Sequence, residues 1–207
     1  MRGLVHPGIV QLVDAGELED GSPFIAYELI PGAHTFHEVL PRASLRRNLE
    51  LLRDVARAVG AAHARGVVHR DLKPGNVIVQ ERDGRPVLLD FGLARELDGS
   101  SLTQSGALVG TPAFMSPEQV DGRRDLDARS DVYGLGAILY RILAGVGPFK
   151  GSDWQELAEK ILAARPVPPS TFVPDTPPYL EALCLECLAC LLYTSPSPRD
   201  GLLSRMP

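Results

Sequence analysis

Five polar residues crowd the stretch from 69 to 76, His69, Arg70, Asp71, Lys73 and Asn76, and a further acid, Asp90, closes an apolar run downstream. An amide oxygen and a carboxylate suit Mg²⁺, which binds through one or two protein side chains plus substrate phosphates. Asp71 then remains free to orient a hydroxyl nucleophile. The apolar runs Val77 to Val79 and Val87 to Leu89 read as a hairpin, because Asp83-Gly84 between them is a strong turn dipeptide. Asn76 and Asp90 each lie seven positions from Asp83. That symmetry predicts that they face each other across an antiparallel pair, about 5 Å apart at the Cα atoms, beside the loop bearing Asp71 and Lys73.

The elements that must position this loop are legible in the periodicity. From Ser44 to Arg65, Leu45, Leu49, Leu52, Val55 and Val59 fall on one helical face, with Gly66 where a C-cap belongs. Two strands are expected around Val10 to Glu17 and Phe24 to Leu29, joined by the turn signal Glu19 to Ser22. Further helices are expected at about Ser130 to Ala144, Asp153 to Ala164 and Tyr179 to Leu188, between Gly and Pro punctuation. The fold class is α+β, weighted to helix, with no internal repeat. Ser130 or Asp131, taken alone, reads as a helix N-cap.

Composition narrows the function classes. The chain has 207 residues, 44% hydrophobic and 23% charged, which is ordinary for one globular domain. Its net charge of -5, with no basic run interleaved with aromatics, argues against a nucleic-acid partner. The longest apolar stretches, Val132 to Phe149 and Ala182 to Tyr193, are interrupted and too short to span a bilayer. The first residues, MRGLVHPG, have no signal-peptide run, so a cytosolic location is expected. Cys184, Cys187 and Cys190 have the spacing of iron-sulfur ligands. No fourth cysteine follows, and the segment reads as a helix in which cysteine serves as a small buried hydrophobe.

The order HRDLKPGN, DFG, GTPAFMSPE resembles the protein-kinase catalytic loop, metal-binding motif and end of the activation segment. HPGIVQL looks like the segment entering the fourth strand of that family, and SDVYGLGAILYRILAGVGPF like its buried central helix. The resemblance covers about Leu4 to Ala189. Lys73 after Asp71, with Gly110 to Pro112, is similar to Ser/Thr kinases, and the short loops and CLECLA to bacterial members. The resemblance implies a protein-kinase-like fold with a small-lobe remnant and hinge over 1–40 and a mainly helical large lobe over 41–189. It also implies ATP-dependent phosphoryl transfer to Ser or Thr of a protein substrate, with Mg²⁺ or Mn²⁺. On this reading GVGPFKG, from Gly145 to Gly151, is a loop between helices and not a phosphate-binding loop.

Roles follow from the resemblance residue by residue. Asp71 orients the substrate hydroxyl, Lys73 neutralises charge on the transferred phosphoryl group, and Asn76 and Asp90 hold the metal. Tyr27 stands as gatekeeper, the backbone of Glu28 and Ile30 faces adenine, and Ile78 forms the pocket floor. Thr111 contacts Asp71 and shapes the peptide site. Asp131 hydrogen-bonds the backbone of the catalytic loop, and His69 packs beneath it. Arg70 docks a phosphate carried by Thr103 or Ser105 in the activation segment.

The sequence also departs from the family. No G-x-G-x-x-G loop and no V-A-I-K-like strand precede Leu4, so little turnover is expected of these residues alone. The Arg that would pair with Glu118 falls, by spacing, on Ser195. The tail 190–207 reads as sequence foreign to a kinase. Alternatives to an enzyme are a pseudokinase or nucleotide-binding scaffold, and an inactive gene fragment; the intact Asp71, Asn76 and Asp90 favour the enzyme.

Overall fold

The computed structural model describes residues 4–90, 112–123 and 125–189. The chain opens with β1 (Leu12–Glu17) and β2 (Pro23–Tyr27), antiparallel from Leu12 opposite Tyr27 to Glu17 opposite Pro23. The connecting turn closes through Leu18 N–H donating to the Ser22 carbonyl, with Gly21 at φ 81. β1 starts two residues later than its apolar pattern predicts because Ile9 and Val10 pair elsewhere. Ile9 bridges Leu88 in parallel, and Val10 N–H donates to the Leu88 carbonyl at 2.9 Å.

A second sheet carries the chemistry. β3 (Ala33–Thr35), which the sequence reading did not foresee, pairs with β4 (Val77–Gln80), and β4 pairs with β5 (Pro86–Leu88), all antiparallel. Thr35 ends β3 and caps α1 (Phe36–Val39) in a reciprocal box with Glu38, so a strand becomes a helix with no intervening loop. The β4–β5 hairpin corrects the expected register. Val77 faces Leu88, Ile78 faces Val87, and Leu89 N–H donates to the Asn76 carbonyl at 2.8 Å. Asn76 is therefore opposite Leu89, not Asp90. The cause is the turn: Glu81 to Gly84 form a four-residue loop closed by Gly84 N–H on the Gln80 carbonyl, with Gly84 at φ 69. Its centre lies between Arg82 and Asp83. Asp83-Gly84 marks the turn correctly, but the left-handed glycine ends the loop and does not sit at its middle.

The long helix α2 (Leu45–His63) is capped by Ser44, whose hydroxyl accepts from Arg47 N at 3.2 Å. It stops in a Schellman arrangement: Gly66 N–H bonds the His63 carbonyl, Val67 N–H bonds the Ala62 carbonyl, and Gly66 takes φ 74. Its buried stripe is Asn48, Leu51, Leu52, Val55, Ala58, Val59 and Ala62. The expected stripe is thus rotated, leaving Leu45 exposed and Leu49 half-buried. Ala58 and Ala62 are fully buried, and Ala58 packs on Gly8, where a Cβ would stand 3.1 Å from the Ala58 Cβ.

Among the described residues four helices follow: α3 (Pro117–Val120), α4 (Ala128–Ala144), α5 (Trp154–Ala163) and α6 (Pro178–Leu188). α4 is the centre of the lobe, packing on α2 and α6 with Tyr133, Ala137, Ile138 and Tyr140 fully buried. Its N-cap is Asp127, whose carboxylate accepts from Arg129 N at 2.8 Å. Ser130 and Asp131 are therefore not the cap and are free for other work. Two glycines of α4 allow close contacts: a Cβ on Gly134 would lie 2.9 Å from Leu72 Cβ, and one on Gly136 would strike Cys187. Cys184 and Cys187 are buried in α6, and burial pushes their thiols up to about 12 and about 11. Cys190 lies outside the described residues. Among the described residues no helix is long and apolar enough to cross a membrane.

Candidate active site

The loop between α2 and β4 is fixed by side chains from three directions. Asp131, on the first turn of α4, accepts His69 N–H at its Oδ2 and Arg70 N–H at its Oδ1, both at 2.8 Å. His63, at the end of α2, places Nε2 2.7 Å from the same Oδ2. Asp131 is almost wholly buried, and a buried carboxylate needs such a full set of donors. The role expected of Asp131 is what the geometry shows. His63 was not foreseen, since nothing in sequence links it to a partner 68 positions away.

His69 is itself a strut. Its Nε2 lies 2.7 Å from the Leu89 carbonyl, and its Nδ1 accepts Asp71 N–H at 3.3 Å. A carbonyl can only accept and an amide can only donate, so the proton sits on Nε2 and the ring is neutral. Burial accordingly holds the His69 pKa below its ordinary value, against the opposing pull of Asp131, Asp71 and Asp90. The ring ties the loop to the end of β5, one residue before Asp90.

Asp71, Lys73 and Asn76 converge. Asp71 Oδ2 receives Lys73 Nζ at 2.7 Å and Asn76 Nδ2 at 2.9 Å, and Asn76 Nδ2 also reaches the Asp71 carbonyl at 2.8 Å. The 3₁₀ turn Pro74–Asn76 makes this possible by folding Asn76 back over Asp71. With its nitrogen committed twice, Asn76 presents its Oδ1 elsewhere; Asp71 Oδ1 has no bond among the described residues.

Asp90 does not face Asn76 as expected but follows Leu89, in the left-handed region at φ 46. Arg70, at φ 67, is another of the few non-glycine residues there. Such backbone strain, about 1–3 kcal/mol each, persists only where the surroundings over-determine it. Asp90 lies against Tyr27: burial first, and then the Asp90 charge and a hydrogen bond to it, push the Tyr27 phenol up to about 12.

On the strand side, Tyr27 ends β2 and Glu28 and Ile30 follow it. Glu28 N–H is committed to the Gln11 carbonyl at 3.0 Å and its carboxylate accepts Gln11 N–H, leaving its carbonyl for other contacts. Ile78 is half-buried in β4 between Thr35 and Val87. Thr103, Ser105, Thr111 and the tail 190–207 lie outside the described residues. Glu118 is buried with Ser130 Oγ donating to its Oε1 at 2.6 Å, and its Oε2 has no partner among the described residues. One more residue was not foreseen: Gln119 donates through Nε2 to the Arg70 carbonyl.

The protein kinase domain model matches residues 1–204. The chain is 40% identical over 197 residues to the serine/threonine-protein kinase PknB of Mycolicibacterium smegmatis, covering 90% of this chain and 31% of the relative. It is 39% identical to the serine/threonine-protein kinase pkn3 of Myxococcus xanthus, covering 90% and 36%, and 36% identical to PknB of Mycobacterium tuberculosis, covering 90% and 30%. The chain thus spans about a third of the length of these curated relatives. With the loop, hairpin and central helix arranged as described, the chain belongs to the protein kinase domain family, among relatives that are bacterial Ser/Thr kinases.

Proposed function

We propose that this domain transfers the γ-phosphoryl group of ATP to Ser or Thr hydroxyls of a protein substrate. The observation that carries the reading is the Asp71 carboxylate, held on one oxygen by Lys73 and Asn76 and, among the described residues, open on the other. Phosphoryl transfer asks the protein mainly for positioning and charge stabilisation. The open Asp71 oxygen accepts the hydrogen of the incoming hydroxyl and aims it. Lys73, already beside that carboxylate, offsets negative charge as the phosphoryl group moves. The Glu28 carbonyl and the Ile30 backbone take the adenine edge, Ile78 supports it from below, and Tyr27 limits depth behind it.

The donor set fits a hard divalent cation. Asn76 has its amide nitrogen turned to Asp71 and its oxygen without a hydrogen bond among the described residues, and Asp90 is an exposed carboxylate. Asn76 and Asp90 would hold Mg²⁺, or Mn²⁺ in its place, and the ion would neutralise phosphate charge. The net charge of -5 supports a protein rather than a nucleic acid as substrate, and we place the domain in the cytoplasm. Thr111 is assigned to the acceptor site and Arg70 to a phosphate on Thr103 or Ser105. Joined to a small lobe bearing a glycine loop and strand Lys, and given ATP and Mg²⁺, the domain should leave phosphate on Ser or Thr by mass spectrometry. Phosphate on Tyr alone, or none, contradicts the proposal.

A further inference from the structure

We propose that Gln119 is a positioning residue of the catalytic loop, its side-chain amide clamping the peptide between Arg70 and Asp71 and so setting where Asp71 points. The proposal rests on the kinase reading above and adds a residue that none of its motif roles includes.

Gln119 occupies the third position of α3, where its Oε1 accepts Ser116 N–H at 2.9 Å and the Ser116 hydroxyl at 3.2 Å. That is the reciprocal half of a capping box and needs nothing more. The other end of the amide nevertheless reaches across to the Arg70 carbonyl. Its orientation is not ambiguous: Ser116 N–H can only donate and the Arg70 carbonyl can only accept, so oxygen faces one and nitrogen the other. Gln119 also lines the small recess it shares with Asp71, Lys73, Phe114 and Met115.

The site of attachment explains the reach. Arg70 holds a left-handed backbone, φ 67, that a side chain with a Cβ disfavours. Its own N–H is taken by Asp131, and the next N–H, of Asp71, by His69. With the Arg70 carbonyl taken by Gln119, the Arg70–Asp71 peptide is gripped at both ends by side chains from different parts of the fold. None of these bonds belongs to a helix or strand ladder. Releasing the carbonyl lets Arg70 relax towards negative φ, and the peptide that relaxes carries Asp71.

Gln119→Glu separates tether from cap. A carboxylate oxygen still accepts both Ser116 donors, as Glu does in the usual capping box. The atom facing the Arg70 carbonyl, however, changes from donor to acceptor, and only protonation of the carboxyl restores a donor. Ser116→Ala is the converse, weakening the cap while leaving the tether. In the full chain labelled with ¹⁵N, the Asp71 amide resonance should move in Gln119→Glu at pH 7.5 and stay put in Ser116→Ala, which instead lowers Tm. Where the enzyme turns over, Gln119→Glu should lower kcat by about 10-fold to 10²-fold, as misplacement of a reacting group does, with KM for ATP little changed. An unmoved Asp71 amide or an unchanged kcat overturns the proposal. A wild-type protein that transfers no phosphate counts against the kinase reading, and the Asp71 amide alone then decides the tether.

Discussion

His69 Nε2 lies 2.7 Å from the carbonyl oxygen of Leu89, so the loop that carries Asp71 and the strand that delivers Asp90 are joined through one buried, neutral imidazole. The bond requires the proton on Nε2, and the Asp71 N–H on the other side requires Nδ1 bare. A second proton would have nowhere to go.

This makes stability depend on pH with a definite sign. The folded His69 pKa is lowered, chiefly by burial, so near and below pH 6.5 the unfolded chain binds the proton more readily than the folded one. The contribution is whole above the unfolded value and is lost as pH falls below it. Urea unfolding should show wild type losing more stability between pH 7.5 and 5.5 than His69→Gln, which can still donate to Leu89 but cannot titrate. Parallel losses in the two proteins would contradict this.

Asp131 is the second support, and its value lies in the three donors it accepts: His63 Nε2, His69 N–H and Arg70 N–H. Asp131→Ala strands buried donors and should cost about 1–3 kcal/mol for each one left unsatisfied. His63→Ala with Asp131→Ala should cost less than the sum of the two, because they share one network. Additive losses in denaturant unfolding would show that the pair is not coupled.

The chain pattern revealed some of this and concealed the rest, for physical reasons. Helix spans follow from periodicity and from caps such as Ser44 and Gly66, so α2, α4, α5 and α6 were expected close to their observed limits. The contents of the catalytic loop were legible because their residue types are unusual together. β3 was not, since three residues, Ala33 to Thr35, acquire strand form only by pairing with β4. The hairpin register slipped by one because a turn dipeptide locates a reversal without fixing loop length. Gln119 and His63 act at long range in sequence, and polar residues on helix ends look alike whether they are solvated or tethered.

The contact of α4 with the loop gives a further test. Gly134 has no side chain where a Cβ would stand 3.0 Å from the Leu72 carbonyl, so the helix presses directly on the backbone next to Asp71. Gly134→Ala should cost about 1–3 kcal/mol, as overpacking does, and should also reduce turnover by displacing the loop. Gly136→Ala strikes Cys187 instead and should lower Tm with much less effect on kcat per folded molecule. Equal effects of the two on kcat would contradict the difference.

Regulation through the activation segment is tested by its hydroxyls. A phosphate brings about -1.5 to -2 charges and acceptor oxygens that Arg70 can bind. An active enzyme should autophosphorylate on Thr103, Ser105 or both, and replacing both with Ala should lower activity with ATP affinity nearly unchanged. Mass spectrometry finding neither site modified in active enzyme would remove the claim.

The central claim is that Asp71, held by Lys73 and Asn76, positions the acceptor hydroxyl. Asp71→Asn retains the shape of the side chain and removes its charge. Phosphoryl transfer from ATP to a Ser/Thr protein substrate, measured with the domain joined to an intact small lobe, should fall by about 10² to 10⁴, the loss expected for a positioned base. ATP binding should change little. A variant that keeps the wild-type rate would contradict the account.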